Sequence, residues 1–181
     1  TIGRGSRTNA ERRPLAAGSE RPRRLAEVSE ASDPRIATGL EELDRVLGGG
    51  LVLGSVTLLG GDPGIGKSTV LLQAGDALSR ATATLYVTGE ESLQQVSLRA
   101  RRLGVVSESL QLLAETSVET IIEHAQQSGA RVLVIDSIQT MFANDIESSP
   151  GSATQVREPA AALVRFAKAT GVSVLIIGHV T

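Results

Sequence analysis

The chain has 181 residues, a formal net charge of −2, 41% hydrophobic and 21% charged residues. This is the profile of a soluble globular domain, too apolar for a disordered chain and too short for two large domains. With no cysteine, and with His124 and His179 far apart, disulfides, thiolate metal sites and a structural zinc site are excluded, and no apolar run approaches the roughly 18 residues of a membrane span.

Residues 1–34 read as a flexible basic linker. Seven arginines fall within residues 1–24 and give that stretch a charge of +5, so residues 25–181 carry −7. Pro14, Pro22 and Pro34 interrupt any helix, and Leu15, Leu25 and Val28 offer apolar anchors. A basic arm on nucleic acid and a solvated tether both fit; the interspersed Glu11 and Glu20 favour the tether. No apolar export signal opens the chain, so a cytoplasmic setting without a membrane partner is expected.

From Arg35 the pattern becomes that of a packed domain. Leu40, Leu43, Val46 and Leu47 recur at helical spacing until Gly48-Gly49-Gly50 ends the run. Ser55 to Leu59 predicts a buried strand, Lys67 to Ser79 a helix, and Thr84 to Thr88 a second strand. A helix through Leu93 to Leu103, a strand over Leu110 to Leu113 and a helix over Val118 to Gln127 follow. Val132 to Ile135 is wholly apolar, Ala160 to Ala169 reads as helix, and Ser173 to Ile177 as the last strand. Apolar strands separated by helices predict an α/β fold with a mostly parallel sheet covered on both faces. Ligands of such sheets sit beyond the carboxyl ends of the strands. The loops after Leu59, Thr88, Ile135 and Ile177 therefore matter most.

The first of these loops, Gly61-Asp62-Pro63-Gly64-Ile65-Gly66-Lys67-Ser68, followed by Thr69, matches the phosphate-loop pattern in full. Glycines turn successive backbone N–H groups toward an anion, and the following helix adds the positive end of its dipole. Lys67 is placed to reach the β- and γ-phosphates of ATP, or the β-phosphate of ADP, and the Ser68 hydroxyl to ligate magnesium. Asp136 ends the apolar strand Val132 to Ile135. It suits the magnesium-side carboxylate better than a simple turn cap, given the phosphate loop. Glu90 and Glu91 follow the strand that ends at Thr88; Glu90, nearer the strand, is the better candidate for the base that activates water. His179 ends the last strand, either to sense the γ-phosphate or as an ordinary hydrogen-bonding residue. A small phosphoryl-transfer kinase is disfavoured, because no arginine-rich lid follows Asp136.

These segments together resemble one family. Arg45 to Gly50, Gly60 to Thr69, Leu85 to Ser92 with Gln95, Arg99 to Gly104, Val134 to Thr140 and Gly178 to Thr181 run collinear with the ATPase core of the bacterial RadA (Sms) family. The Gly-Glu-Glu-Ser, Asp-Ser-Ile-Gln-Thr and Gly-His-Val-Thr segments carry the distinction from circadian-clock relatives, the alternative signalling reading. Residues 21–34 match loosely and 1–20 not at all. The resemblance implies a RecA-like P-loop ATPase core over residues 35–181, truncated at its C-terminal end. It implies DNA stimulation, branch migration in recombination and repair, single-stranded and branched DNA as partners, a hexameric ring and a recombinase partner. It also assigns Glu90 as the water-activating glutamate and Asp136 as the magnesium-side acid.

The family's four-cysteine zinc finger has no counterpart in this cysteine-free chain, nor do its Lys-Asn-Arg-Phe-Gly motif and Lon-protease-like domain. Nucleotide binding is therefore expected to survive better than ring assembly. A DNA-facing loop is implied within Met141 to Arg157, a segment that reads as mobile and in which Arg157 is the only cation. Tyr86, Phe142 and Phe166 are too few for a surface that works by stacking bases.

Overall fold

The computed structural model describes residues 21–28, 33–62, 64, 66–144 and 153–179. The chain divides into two compact units, Thr1–Ser32 and Asp33–Thr181. In the first, the described residues form a single 3₁₀ turn, Leu25–Glu27, closed by the Arg24 backbone N–H donating to Glu27 Oε2 at 3.3 Å. Leu25 and Val28 are exposed, so these two expected anchors are not buried. The rest of the expected linker, residues 1–20 and 29–32, lies outside the described residues.

The second unit opens with a two-stranded antiparallel pair, β1 (Arg35–Ile36) and β2 (Leu51–Val52), around the short helix α1 (Glu41–Val46). Asp44 anchors this hairpin by accepting from both the Thr38 N–H and its hydroxyl, at 2.8 and 2.7 Å. A Cβ on Gly50 would lie 2.4 Å from the Ile36 carbonyl oxygen, so a side chain is sterically excluded there.

The main sheet follows from β3 (Val56–Gly61), α2 (Lys67–Ser79), β4 (Thr84–Thr88), α3 (Leu93–Arg102), β5 (Gln111–Ala114), α4 (Val118–Gln127), β6 (Val132–Asp136), α5 (Ala153–Thr170) and β7 (Ser173–His179). All five strands are parallel, in the order β3-β7-β6-β4-β5. The chain travels outward from β3 to β5, then returns through β6 and β7. Right-handed crossovers then put the helices of the outward and return legs on opposite faces. That is the arrangement found. Leu71, Leu72 and Leu78 of α2 and Val96 of α3 pack with Tyr86, Val132, Val134, Leu175 and Ile177. On the other face, Ile121 of α4 and Leu163 and Phe166 of α5 pack with Leu85, Val87, Leu133, Ile135, Val174 and Ile176. Adjacent residues of each strand thus serve opposite layers, which is why the strands carry no polar alternation.

The strand and helix expectations over 67–79, 84–88 and 118–127 agree with the structure. The last helix differs. Helix was expected only from Ala160, but α5 begins at Ala153, so 153–157 is helical rather than loop. Pro159 lies inside it; the proline removes one backbone donor, and burial of Leu163, Phe166 and Ala167 on the same helix offsets that cost. Residues 138–144 are ordered too, with a 3₁₀ turn at Ile138–Thr140 and a bridge from Phe142 to Ser117. The rest of the expected mobile segment, 145–152, lies outside the described residues.

Leu133 is fully buried on the central strand β6, beside Leu85 and Val174. Leu133→Ala should lower unfolding free energy by about 2–5 kcal/mol, from lost burial plus the cavity left behind. Urea denaturation should show a lower midpoint at an unchanged slope.

Candidate functional site

Side chains two residues apart on a strand share a face. Leu59, Tyr86, Val134 and Ile177 all belong to the layer covered by α2 and α3. The residues two positions on are Gly61, Thr88, Asp136 and His179. Register places Gly61 opposite His179 and Thr88 opposite Asp136. The loops after β3, β4 and β6 and the end of β7, which runs on to His179 rather than stopping at Ile177, therefore stand at the same edge of the sheet.

The phosphate loop joins β3 to α2. Gly64 and Gly66 have positive φ (85° and 87°), and a Cβ on either would meet nothing within 4 Å. Glycine is needed there for backbone conformation, not for clearance. Gly66 is the N-cap of α2 and supplies no side-chain cap, so among the described residues no side chain caps the first N–H groups of this 13-residue helix, which suits them to face an anion. Lys67 is buried; its Nζ donates to the Gly61 carbonyl at 2.6 Å and also to the Asp62 carbonyl. Pro63 and Ile65, the other expected loop residues, lie outside the described residues.

Gly64, Gly66, Lys67, Ser68 and Thr69 line a cavity of about 290 Å³, together with Glu91, Arg99 and His179. Asp62 is exposed at the loop's start. Of the two adjacent acids, Glu90 is exposed and does not line the cavity, whereas Glu91 does. Glu91 is fixed at three points. Its N–H donates to Thr88 Oγ1 (3.0 Å), its carbonyl accepts from the same hydroxyl (3.1 Å), and its Oε1 accepts from Arg99 Nη2 (2.7 Å). Behind it, Ser92 and Gln95 form a reciprocal capping box that starts α3.

Asp136 is buried, and its Oδ2 accepts from the Tyr86 hydroxyl at 2.7 Å. Burial, and then the charge of Asp136, push the Tyr86 phenol far above its ordinary pKa, so it remains a donor. For Arg99, burial works against the cation, but contact with Tyr86 and the charges of Glu91 and Asp136 outweigh it and raise its pKa. Tyr86 and Arg99 were not among the expected site residues. The signals were present: Tyr86 is the only phenol of the chain, in an otherwise apolar strand. Arg99 stands at the helical spacing of Val96 and Leu103, residues that pack into the core.

The loops also interlock. Gln139 Nε2 donates to the His179 carbonyl at 3.0 Å. A Cβ on Gly89 would fall 2.0 Å from Thr140 Oγ1, so the turn carrying Glu90 sits directly against the turn after Asp136. His179 Nδ1 is buried with no hydrogen-bond partner among the described residues.

These residues fit a magnesium–nucleotide. A cation, a hydroxyl, helix N–H groups and a carboxylate stand on one edge. Among the described residues no group of three or more His, Asp or Glu side chains forms a metal cage; magnesium that shares its shell with phosphates and water needs none. Nor, among these residues, is any helix long and apolar enough to cross a membrane.

A family profile described as AAA domain matches residues 19–181. The DNA repair protein RadA of Pseudomonas aeruginosa is 59% identical over 157 residues, covering 87% of this chain and 35% of that protein. The Escherichia coli protein of the same name is 53% identical over 166 residues, 92% of this chain and 36% of that protein. The Bacillus subtilis one is 48% identical over 163 residues, 90% and 36% respectively. The chain thus spans about a third of the length of the relatives it matches.

Proposed function

As a member of the AAA-domain family with RadA-like sequence over most of its length, the chain is a P-loop ATPase core of the α/β, RecA-like fold, and we propose that it works in DNA repair and homologous recombination. The activity is ATP hydrolysis stimulated by single-stranded DNA, used to drive branch migration of recombination intermediates. The observation that carries the reading is the register at the sheet's edge, which gathers the phosphate loop, the Glu90–Glu91 turn, Asp136 and His179 over one face. The names of the relatives support the repair context.

In this reading the loop from Gly61 to Thr69 holds the phosphates of ATP or ADP through backbone N–H groups. Lys67 uses two of its three ammonium protons on loop carbonyls and keeps the third for a phosphate oxygen. Ser68 and Asp136 hold magnesium. The metal, when bound, neutralises charge on the transferring phosphoryl oxygens. Glu90 is the base: its exposed carboxylate has no ion pair among the described residues, whereas Glu91 is engaged with Arg99. His179 attends the γ-phosphate. Single-stranded and branched DNA, a hexameric ring and a recombinase are the partners of the whole protein.

The test is ATP hydrolysis by the full-length protein with and without single-stranded DNA. Stimulation that fades as salt rises is expected, because DNA binding releases counterions. Hydrolysis indifferent to DNA would point instead to the circadian-clock type of signalling ATPase.

A further inference from the structure

Asp136 and Glu91 each have a side-chain partner that phosphate binding alone does not require. Tyr86 pairs in register with Val134, so Asp136 is its diagonal neighbour on the adjacent strand, within reach of an aromatic side chain. Its hydroxyl takes Asp136 Oδ2 at 2.7 Å from a fully buried position. Arg99 Nη2 donates to Glu91 Oε1 at 2.7 Å, and its Nε and Nη1 are buried without an acceptor among the described residues. A phenylalanine and a leucine would fill such a layer without the cost of burying a phenol and a guanidinium. The polar pair has a use if both acids must be held in fixed orientation.

We propose that Tyr86 and Arg99 are positioning residues of the ATPase site. Tyr86 fixes the plane of the Asp136 carboxylate, leaving Oδ1 for magnesium. Arg99 fixes Glu91 and, through it, the turn that carries Glu90. Partners of this kind around a metal ligand change metal affinity by about 10- to 100-fold when removed. The inference rests on the reading of Asp136 as the magnesium-side acid, and the experiment separates the two.

The 181-residue chain and its variants are titrated with a slowly hydrolysed ATP analogue at a series of magnesium concentrations, by calorimetry. Tyr86→Phe should keep the parent's magnesium-free nucleotide affinity and a similar melting temperature. It should need about tenfold more magnesium to reach half of the metal-dependent gain in affinity. Arg99→Gln should keep the magnesium midpoint but, in steady-state hydrolysis of ATP itself, lower kcat about tenfold at similar KM, and Arg99→Lys should restore most of the loss. Asp136→Asn is the control. If it abolishes the metal-dependent gain while Tyr86→Phe leaves the midpoint in place, the positioning role of Tyr86 is overturned and the metal reading stands. If Asp136→Asn retains the gain, the metal reading fails and takes the Tyr86 inference with it. Should Tyr86→Phe unfold, the arginine arm decides: an unchanged kcat in Arg99→Gln overturns the positioning proposal.

Discussion

Lys67→Ala should weaken ATP binding by about a hundredfold, the loss of a charged hydrogen-bonding partner worth about 3 kcal/mol. The physical reason is that Lys67 is the cation of the phosphate-loop wall, buried at the start of α2 and aimed across the loop at the Gly61 and Asp62 carbonyls. Removing it does two things: the phosphates lose a cation, and the loop loses the clamp across its mouth. Calorimetric titration with ATP and magnesium measures the first effect, and the melting temperature without nucleotide reports the second. Unchanged affinity would refute the assignment of the Gly61–Thr69 loop as the phosphate site.

Glu90→Gln should bind ATP nearly as the parent does and hydrolyse it about 10²- to 10⁴-fold more slowly, the usual contribution of a positioned base. Glutamine keeps the shape and loses the proton acceptor. The companion variant Glu91→Gln separates the two acids. The Glu91 carboxylate is already committed to Arg99, and its backbone contacts with the Thr88 hydroxyl survive the substitution, so Glu91→Gln should weaken only the Arg99 contact and lower turnover less. Single-turnover hydrolysis of radiolabelled ATP reads both. Full activity in Glu90→Gln together with collapse in Glu91→Gln would transfer the role of base to Glu91.

Much of this was legible in the residues because the strong signals are local. The phosphate loop is a fixed string, and helices such as Val118–Gln127 have an apolar stripe and a Ser117 cap that accepts from the Thr120 N–H. The strand ends were legible because an apolar run that meets Asp136 or His179 has to stop being core. What stayed hidden depends on contacts across the sheet. That Tyr86 serves Asp136 follows only from the register of β4 against β6. The β1–β2 pair has two residues per strand, too few for any period to show. The start of α5 was obscured by Pro159, which in a sequence marks a break and here lies within a helix held by its packing.

The fit of Gly89 against Thr140, and of Gln139 against the His179 carbonyl, seats the turn after β4 and the end of β7 against the turn after β6. A side chain at position 89 would have to displace Thr140, so the glutamate turn is transplantable into another scaffold only together with the turn it fits against.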